Sequence, residues 1–231
     1  MILLAKKEGL KLKKQILNFL KRLFFFVGTF GLYSILEELY FLPKASVTIF
    51  LIILTLVCSL SLIGFIYYLY KNELKNKNPW KFNEKPHWSL KRVIIAVLMF
   101  TLLIGFQYAY NHFIVRNGSI PKNEQSLNAT AASASHLYYL LSIITGPVCE
   151  ELIFRGLFFN TFFWKKNKFT ELIGVVSSGF VFAIIHDSSF GEFTYMYWVL
   201  GCILAFTYVW TKDIRYSTLA HILNNLTAAL W

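Results

Sequence analysis

Charge is what this sequence has least of. Only 15% of its 231 residues are Asp, Glu, Lys or Arg, against about a quarter in ordinary soluble domains, so a charged shell around a globular core is excluded. Acidic residues are the scarcer sign, 12 against 23 Lys and Arg. Three cysteines, each inside an apolar stretch, exclude a secreted disulfide scaffold, and Cys58, Cys149 and Cys202 read as buried thiols. No P-loop, glycine-rich nucleotide fingerprint or His-Glu-x-x-His zinc signature occurs. Internal repeats and inverted pairs of interrupted helices are also missing, which argues against a pump or a transporter.

What the chain has instead is apolar length. Hydrophobic residues make up 56%, with 23 Phe, 13 Tyr and 6 Trp, too many for a disordered chain. Apolar spans run at about 19–42, 46–70, 93–115, 136–163, 169–190, 193–211 and 216–231. Each is near the roughly 20 residues that cross a hydrocarbon core as helix, so the fold class is all-α, a polytopic membrane protein of about seven transmembrane helices. The tryptophans at 80, 88, 164, 198, 210 and 231 fall mostly near span ends, as interfacial anchors do.

Basic residues fix an expected orientation. Lys6, Lys7, Lys11, Lys13, Lys14, Lys21 and Arg22 precede or open the first span, and no small-residue cleavage site follows, so the leader is expected to stay. With the N-terminus cytoplasmic, the basic 71–92 connection, the Lys165, Lys166 and Lys168 group, and Lys212 with Arg215 all lie inside. Only Lys44, Arg116 and Lys122 lie outside. This pattern accounts for the +11 net charge without nucleic acid as a partner. The stretch 126–135 is small and polar and reads as an external loop, with an accidental sequon at Asn128. It separates residues 1–130, the basic leader and three helices, from a four-helix stretch, 131–231, in one membrane domain.

Ionisable groups inside these spans carry the chemistry, because each costs about 2.5–3.5 kcal/mol in hydrocarbon even on lenient scales. In Pro147-Val148-Cys149-Glu150-Glu151-Leu152-Ile153-Phe154-Arg155-Gly156, Glu151 and Arg155 stand at i and i+4 and are expected to pair. Glu150 points about 100° away around the helix and is left for chemistry. A partly desolvated glutamate beside a second carboxylate suits a group that takes a proton from water and later gives it to a leaving amine. His186 ends the next span, and His221 and Asn225 share one helix face in the last. Taken singly, a Glu–Arg pair or a lone intramembrane histidine is as well explained by packing.

Glu-Glu-x-x-x-Arg, then Phe-x-x-x-His, then His-x-x-x-Asn, in this order on successive spans, resembles the CAAX-protease and bacteriocin-processing (CPBP, or Abi) intramembrane proteases. The resemblance covers about residues 136–231. It implies that Glu150 and His186 activate water, that His221 and Asn225 stabilise the oxyanion, and that Glu151 and Arg155 brace the site, with Phe182 and Gly156 as packing positions. Zinc on Glu150, His186 and His221 and a metal-free glutamate mechanism both stay open. The implied partners are the lipid bilayer and a peptide or membrane-protein substrate. The Lys, Asn, Ile and Phe richness looks more bacterial than eukaryotic, which favours a cell membrane and a secreted-peptide precursor over a prenylated protein. The oligomeric state is not legible.

One conflict stands against this reading. On straight helices Glu150 lies mid-span, His186 late and His221 early, at depths that do not match. Tilt, a break near Gly146-Pro147 or shifted helix starts are needed. Among residues set aside, Glu37 and Glu38 read as an interfacial structural pair, and Cys149 as packing rather than a nucleophile. His87, His112 and His136 read as loop or span-end residues, and Asp187 as an orienting carboxylate for His186. Rival readings are a silent scaffold or bacteriocin-immunity protein and a small transporter using Glu150 and Glu151.

Overall fold

A computed structural model describes residues 2–115 and 137–230. The 126–135 loop, Asn128, Arg116, Lys122, His136 and Trp231 lie outside the described residues. Among the described residues the chain is an all-α bundle of seven helices with no β-sheet. They are α1 (Ile2–Tyr40), α2 (Ile49–Asn76), α3 (Leu90–Phe113), α4 (Leu137–Phe162), α5 (Lys168–His186), α6 (Glu192–Thr211) and α7 (Ile214–Leu230). The first six are long and apolar enough to cross a membrane. All seven expected spans fall on these helices, but the ends of three differ: α2 runs six residues past 70, α5 stops four before 190, and α1 starts at Ile2, so the basic leader is a continuation of the helix.

Local signals set several ends. Thr48 caps α2 by accepting from Leu51 N at 3.2 Å. Asn167 and Thr170 form a reciprocal capping box at the start of α5. Asp187 stops α5 in extended backbone, and its carboxylate accepts from Ser189 and Thr194. It therefore braces the α5–α6 turn and does not orient His186, because the chain has already left the helix that would aim it there.

Outward faces of α1, α2 and α3 are apolar and exposed, at Phe24, Ile35, Phe50, Leu60 and Leu98 for example, as lipid contact requires. Helix α4 is the innermost, with Cys149, Ile153, Phe154, Arg155 and Phe159 almost fully enclosed. Cys58 and Cys202 are only partly buried. Helices α5 and α6 pack through glycine: a Cβ on Gly201 would stand 2.8 Å from Gly179 Cα. Trp198 Nε1 ties the pair by donating to Val176 O at 2.9 Å, which makes Trp198 a helix–helix tie as well as an anchor.

Helix α4 is not broken at Gly146-Pro147. Instead two π-helical stretches, Leu141–Thr145 and Leu152–Leu157, flank the α-helical turn Gly146–Glu151. The first widens the helix just ahead of Pro147, which has no N–H to give and whose ring would crowd the carbonyl four residues back. The glutamates thus sit on a short α-helical step between two π segments, a feature frequent at functional sites.

The connection between α2 and α3 explains how the motifs reach a common depth. Trp80 and Phe82 are fully buried, packed edge-on against Phe159 at 5.5 and 5.8 Å, with Phe82 stacked on Tyr208 at 4.0 Å. Trp80 is therefore core and not an interfacial anchor. Asn83 Oδ1 accepts from Ile214 N at 3.1 Å and from Tyr70 Oη at 3.2 Å. This plug fills the basic end of the bundle and holds the start of α7 within it. A Cβ on Gly156 would meet Ile214 Cδ1 at 3.3 Å, so α7 starts level with Gly156. Six residues back along α4 and seven forward along α7 are about 9 and 10.5 Å at 1.5 Å rise, which brings Glu150 and His221 together.

Candidate active site

Glu150, His186 and His221 converge. Glu150 Oε2 lies 3.7 Å from His186 Nε2 and 3.8 Å from His221 Nε2. Ser178 Oγ anchors α5 to Phe154 O at 2.7 Å, and helical side chains lean toward their N-termini. Antiparallel α4 and α5 therefore lean Glu150 and His186 toward each other. Both imidazoles are oriented by their far nitrogens. His186 Nδ1 donates to Phe182 O at 2.9 Å, and His221 Nδ1 donates to Glu151 Oε1 at 3.1 Å. In the neutral ring each Nε2 is then an acceptor facing Glu150.

Glu151 and Arg155 pair as their spacing predicts, with Nε 3.4 Å from Oε2 and both side chains fully buried. Arg155 also donates from Nη2 to Gly201 O at 3.2 Å and lies 4.7 Å over the Phe182 ring. Phe182 does more than pack: it stacks on His186 at 4.0 Å and meets His221 edge-on at 5.7 Å. It separates Arg155 from the imidazoles while touching all three groups. Cys149 is fully buried beside them, as expected of packing.

Asn225 closes a line of amides. Gln107 Nε2 donates to Asn224 Oδ1 at 2.7 Å, Asn224 Nδ2 to Asn225 Oδ1 at 3.3 Å, and Asn225 Nδ2 to Ser142 O at 2.8 Å. These contacts fix which way the Asn225 amide faces and leave its second N–H for another acceptor.

All four residues line one cavity of about 960 Å³, together with Tyr33 and Glu37. Glu37 is thus a cavity residue and not simply an interfacial one, whereas its neighbour Glu38 is exposed. Tyr33 had no signal in the sequence, since its contact with Glu150, 3.0 Å from Oη to Oε1, spans 117 positions. No Lys or Arg occurs among the described lining residues. Carboxylate and imidazole are ligand types that zinc accepts, yet among the described residues no three His, Cys, Asp or Glu side chains are grouped to hold a metal ion.

Known proteins resemble the part of the chain that holds these residues. Residues 132–227 match the family described as type II CAAX prenyl endopeptidase Rce1-like. The chain is 29% identical over 159 residues to the membrane-embedded CAAX protease MroQ of Staphylococcus aureus (strain USA300), covering 66% of this chain and 63% of that protein. It is 28% identical over 138 residues to the putative membrane peptidase YdiL of Bacillus subtilis (strain 168), covering 60% and 52%. The matched stretch thus spans about half to two thirds of the length of these relatives. No solved structure matches. The matched segment contains Glu150, Glu151, Arg155, His186, His221 and Asn225, and over it the chain is similar to the CAAX-protease family of membrane proteins.

Proposed function

We propose that the chain is an intramembrane endopeptidase that hydrolyses one peptide bond of a membrane-associated or precursor-peptide substrate with water activated by its own side chains. The observation that carries this reading is the meeting of Glu150 Oε2 with the Nε2 atoms of His186 and His221 in a polar cavity inside an apolar bundle. A water held between Glu150 and His186 gives its proton to Glu150 as its oxygen attacks the scissile carbonyl carbon. The tetrahedral oxygen then takes a hydrogen bond from the second Nδ2–H of Asn225 and, in its imidazolium form, from His221 Nε2. Glu150 returns the proton to the leaving nitrogen, and the amide bond breaks. Glu151 and Arg155 support this chemistry by holding His221 and neutralising each other.

The substrate reading rests on which end of the bundle the cavity reaches. Its lining includes Phe41, Tyr108, Asn111 and Tyr139, beside the ends of α1 and α3 and the start of α4, opposite the basic connections. With the N-terminus cytoplasmic, as the distribution of basic residues favours, that end of the cavity lies toward the outside of a cell membrane. A precursor peptide emerging from the membrane fits this placement better than a prenylated cytoplasmic protein.

The test uses the purified full chain in phosphatidylglycerol–phosphatidylethanolamine vesicles with a pool of synthetic single-span peptides, new termini being read by mass spectrometry. A terminus made by wild type and absent with Glu150→Ala supports the proposal. No new terminus, or the same terminus from both proteins, overturns it and favours a scaffold or immunity protein that binds without cutting.

A further inference from the structure

The first helix, outside the family match, touches the group proposed to move the proton. Tyr33 is 3% exposed and its hydroxyl lies 3.0 Å from Glu150 Oε1. Glu150 has two oxygens, of which Oε2 faces the two imidazoles and makes no hydrogen bond. The Tyr33 contact is therefore what sets the rotation of the carboxylate about its last bond. A terminal carboxylate torsion is soft and broad without such a partner.

Gly146 makes room for this contact. A Cβ there would stand 3.2 Å from Tyr33 Oη, 3.4 Å from Glu150 Oε1 and 3.0 Å from Leu141 O. The glycine opens a slot between α1 and α4 through which the phenol reaches the glutamate one helical turn away. Tyr33 has one proton to give, and Glu37, a turn further along α1, is the other carboxylate in reach. The hydroxyl is placed on Glu150.

We infer that Tyr33 is a positioning residue, donating to Glu150 Oε1 so that Oε2 is presented to the water and the two histidines. This rests on the endopeptidase reading for its kinetic consequence, while the contact itself is testable without a substrate. Tyr33→Phe keeps the ring and removes only the donor.

Two measurements on the full chain in vesicles decide it. The first is the infrared carboxylate band of Glu150, identified as the band lost in Glu150→Gln. Tyr33→Phe is expected to shift that band, and a band at the wild-type position overturns the contact. The second is turnover of the best-cleaved peptide of the pool. A hydrogen bond to a charged group is worth about 1.5–3 kcal/mol, so kcat is expected to fall roughly 10- to 100-fold with KM within about twofold. In a Glu150→Gln background the same substitution should change residual turnover less than twofold. A shifted band with unchanged kcat, or an equal loss in the Glu150→Gln background, shows Tyr33 to be merely structural and overturns the inference. If wild type cleaves nothing, the endopeptidase reading fails while the band still decides the contact. Gly146→Ala provides an independent check, expected to move the same band by crowding the slot.

Discussion

One carboxylate, that of Glu151, joins two helices: Oε1 meets His221 Nδ1 of α7 at 3.1 Å, and Oε2 faces Arg155 Nε one turn along α4 at 3.4 Å. The adjacent Glu150 faces the cavity instead. Two neighbouring acids thus face different ways, one bound to His221 and Arg155 and the other, in the proposed mechanism, meeting the water.

This division predicts opposite effects of the same chemical change. Glu151→Gln leaves Arg155, fully buried, without its counter-charge, and removal of one partner of a buried pair costs about 3–5 kcal/mol. Arg155→Ala leaves Glu151 in the same position and should cost as much. Glu150→Gln keeps the hydrogen-bonding shape toward Tyr33 and should cost no more than about 1 kcal/mol while leaving only a small residual turnover. Unfolding in detergent micelles, alongside peptide cleavage, separates the three. A Glu151→Gln protein as stable as wild type would reject the bracing role.

The plug between α2 and α3 predicts activity loss from a distance. Trp80 packs on Phe82 and Phe159 within the plug, and Trp80→Ala is expected to cost about 3–5 kcal/mol. Asn83→Ala removes the acceptor for Ile214 N and Tyr70 Oη and should cost about 1–3 kcal/mol. Both changes free the start of α7 and so the depth of His221. Turnover is expected to fall even at temperatures where each variant stays folded, which thermal unfolding and cleavage at one low temperature would check.

Much of this arrangement was legible because it is local. Apolar run lengths marked the helices, and the i, i+4 spacing of Glu151 and Arg155 predicted their ion pair. What was not legible depends on long-range contact. Tyr33 is one tyrosine of 13, and nothing near it in sequence announces a partner 117 positions away. Trp80 sits in a basic connection where an interfacial anchor was the natural reading, and its burial depends on Phe159 and Tyr208 from two other helices. The depth conflict is resolved by α7 starting level with Gly156 of α4, an offset that run lengths alone do not reveal. Pro147 did mark a distortion of α4, but a π segment took the place of a break.

Lys212 gives a pH prediction away from the site. It follows α6 in the left-handed backbone region, φ 60°, with its ammonium over the Trp80 and Phe82 rings at 5.7 and 5.3 Å. Burial, and then the nearby Lys166, push its amine down to about 8 from 10.5. The folded state therefore sheds this proton more readily than the unfolded chain, and folding carries the cost of a half-buried charge at all pH values below about 8. That cost fades as pH rises from about 8 toward 10.5, where the unfolded chain loses its proton too. Lys212→Met keeps a long side chain at the same backbone angle, so it should raise the unfolding midpoint at pH 7 and lose that advantage by pH 10. A gain independent of pH, or none at pH 7, would show that the charge is not what the site resists.

Chelation gives the last prediction, and distances decide its direction. Zinc ligands about 2.0–2.1 Å from a tetrahedral ion stand roughly 3.3–3.4 Å from one another, whereas Glu150 Oε2 lies 3.7 and 3.8 Å from the two imidazole nitrogens. One carboxylate oxygen is also taken by Tyr33. These separations are wider than tetrahedral zinc asks for, and the proposed mechanism has the three side chains hydrogen-bond a water instead. Prolonged dialysis against EDTA and then 1,10-phenanthroline is expected to leave peptide turnover within about twofold, with less than a tenth of a zinc per chain by mass spectrometry of the purified protein, these being order-of-magnitude thresholds. Loss of turnover on dialysis that stoichiometric zinc restores would reassign Glu150, His186 and His221 as metal ligands, and the water would then be activated by the ion, with Glu150 no longer free to take its proton.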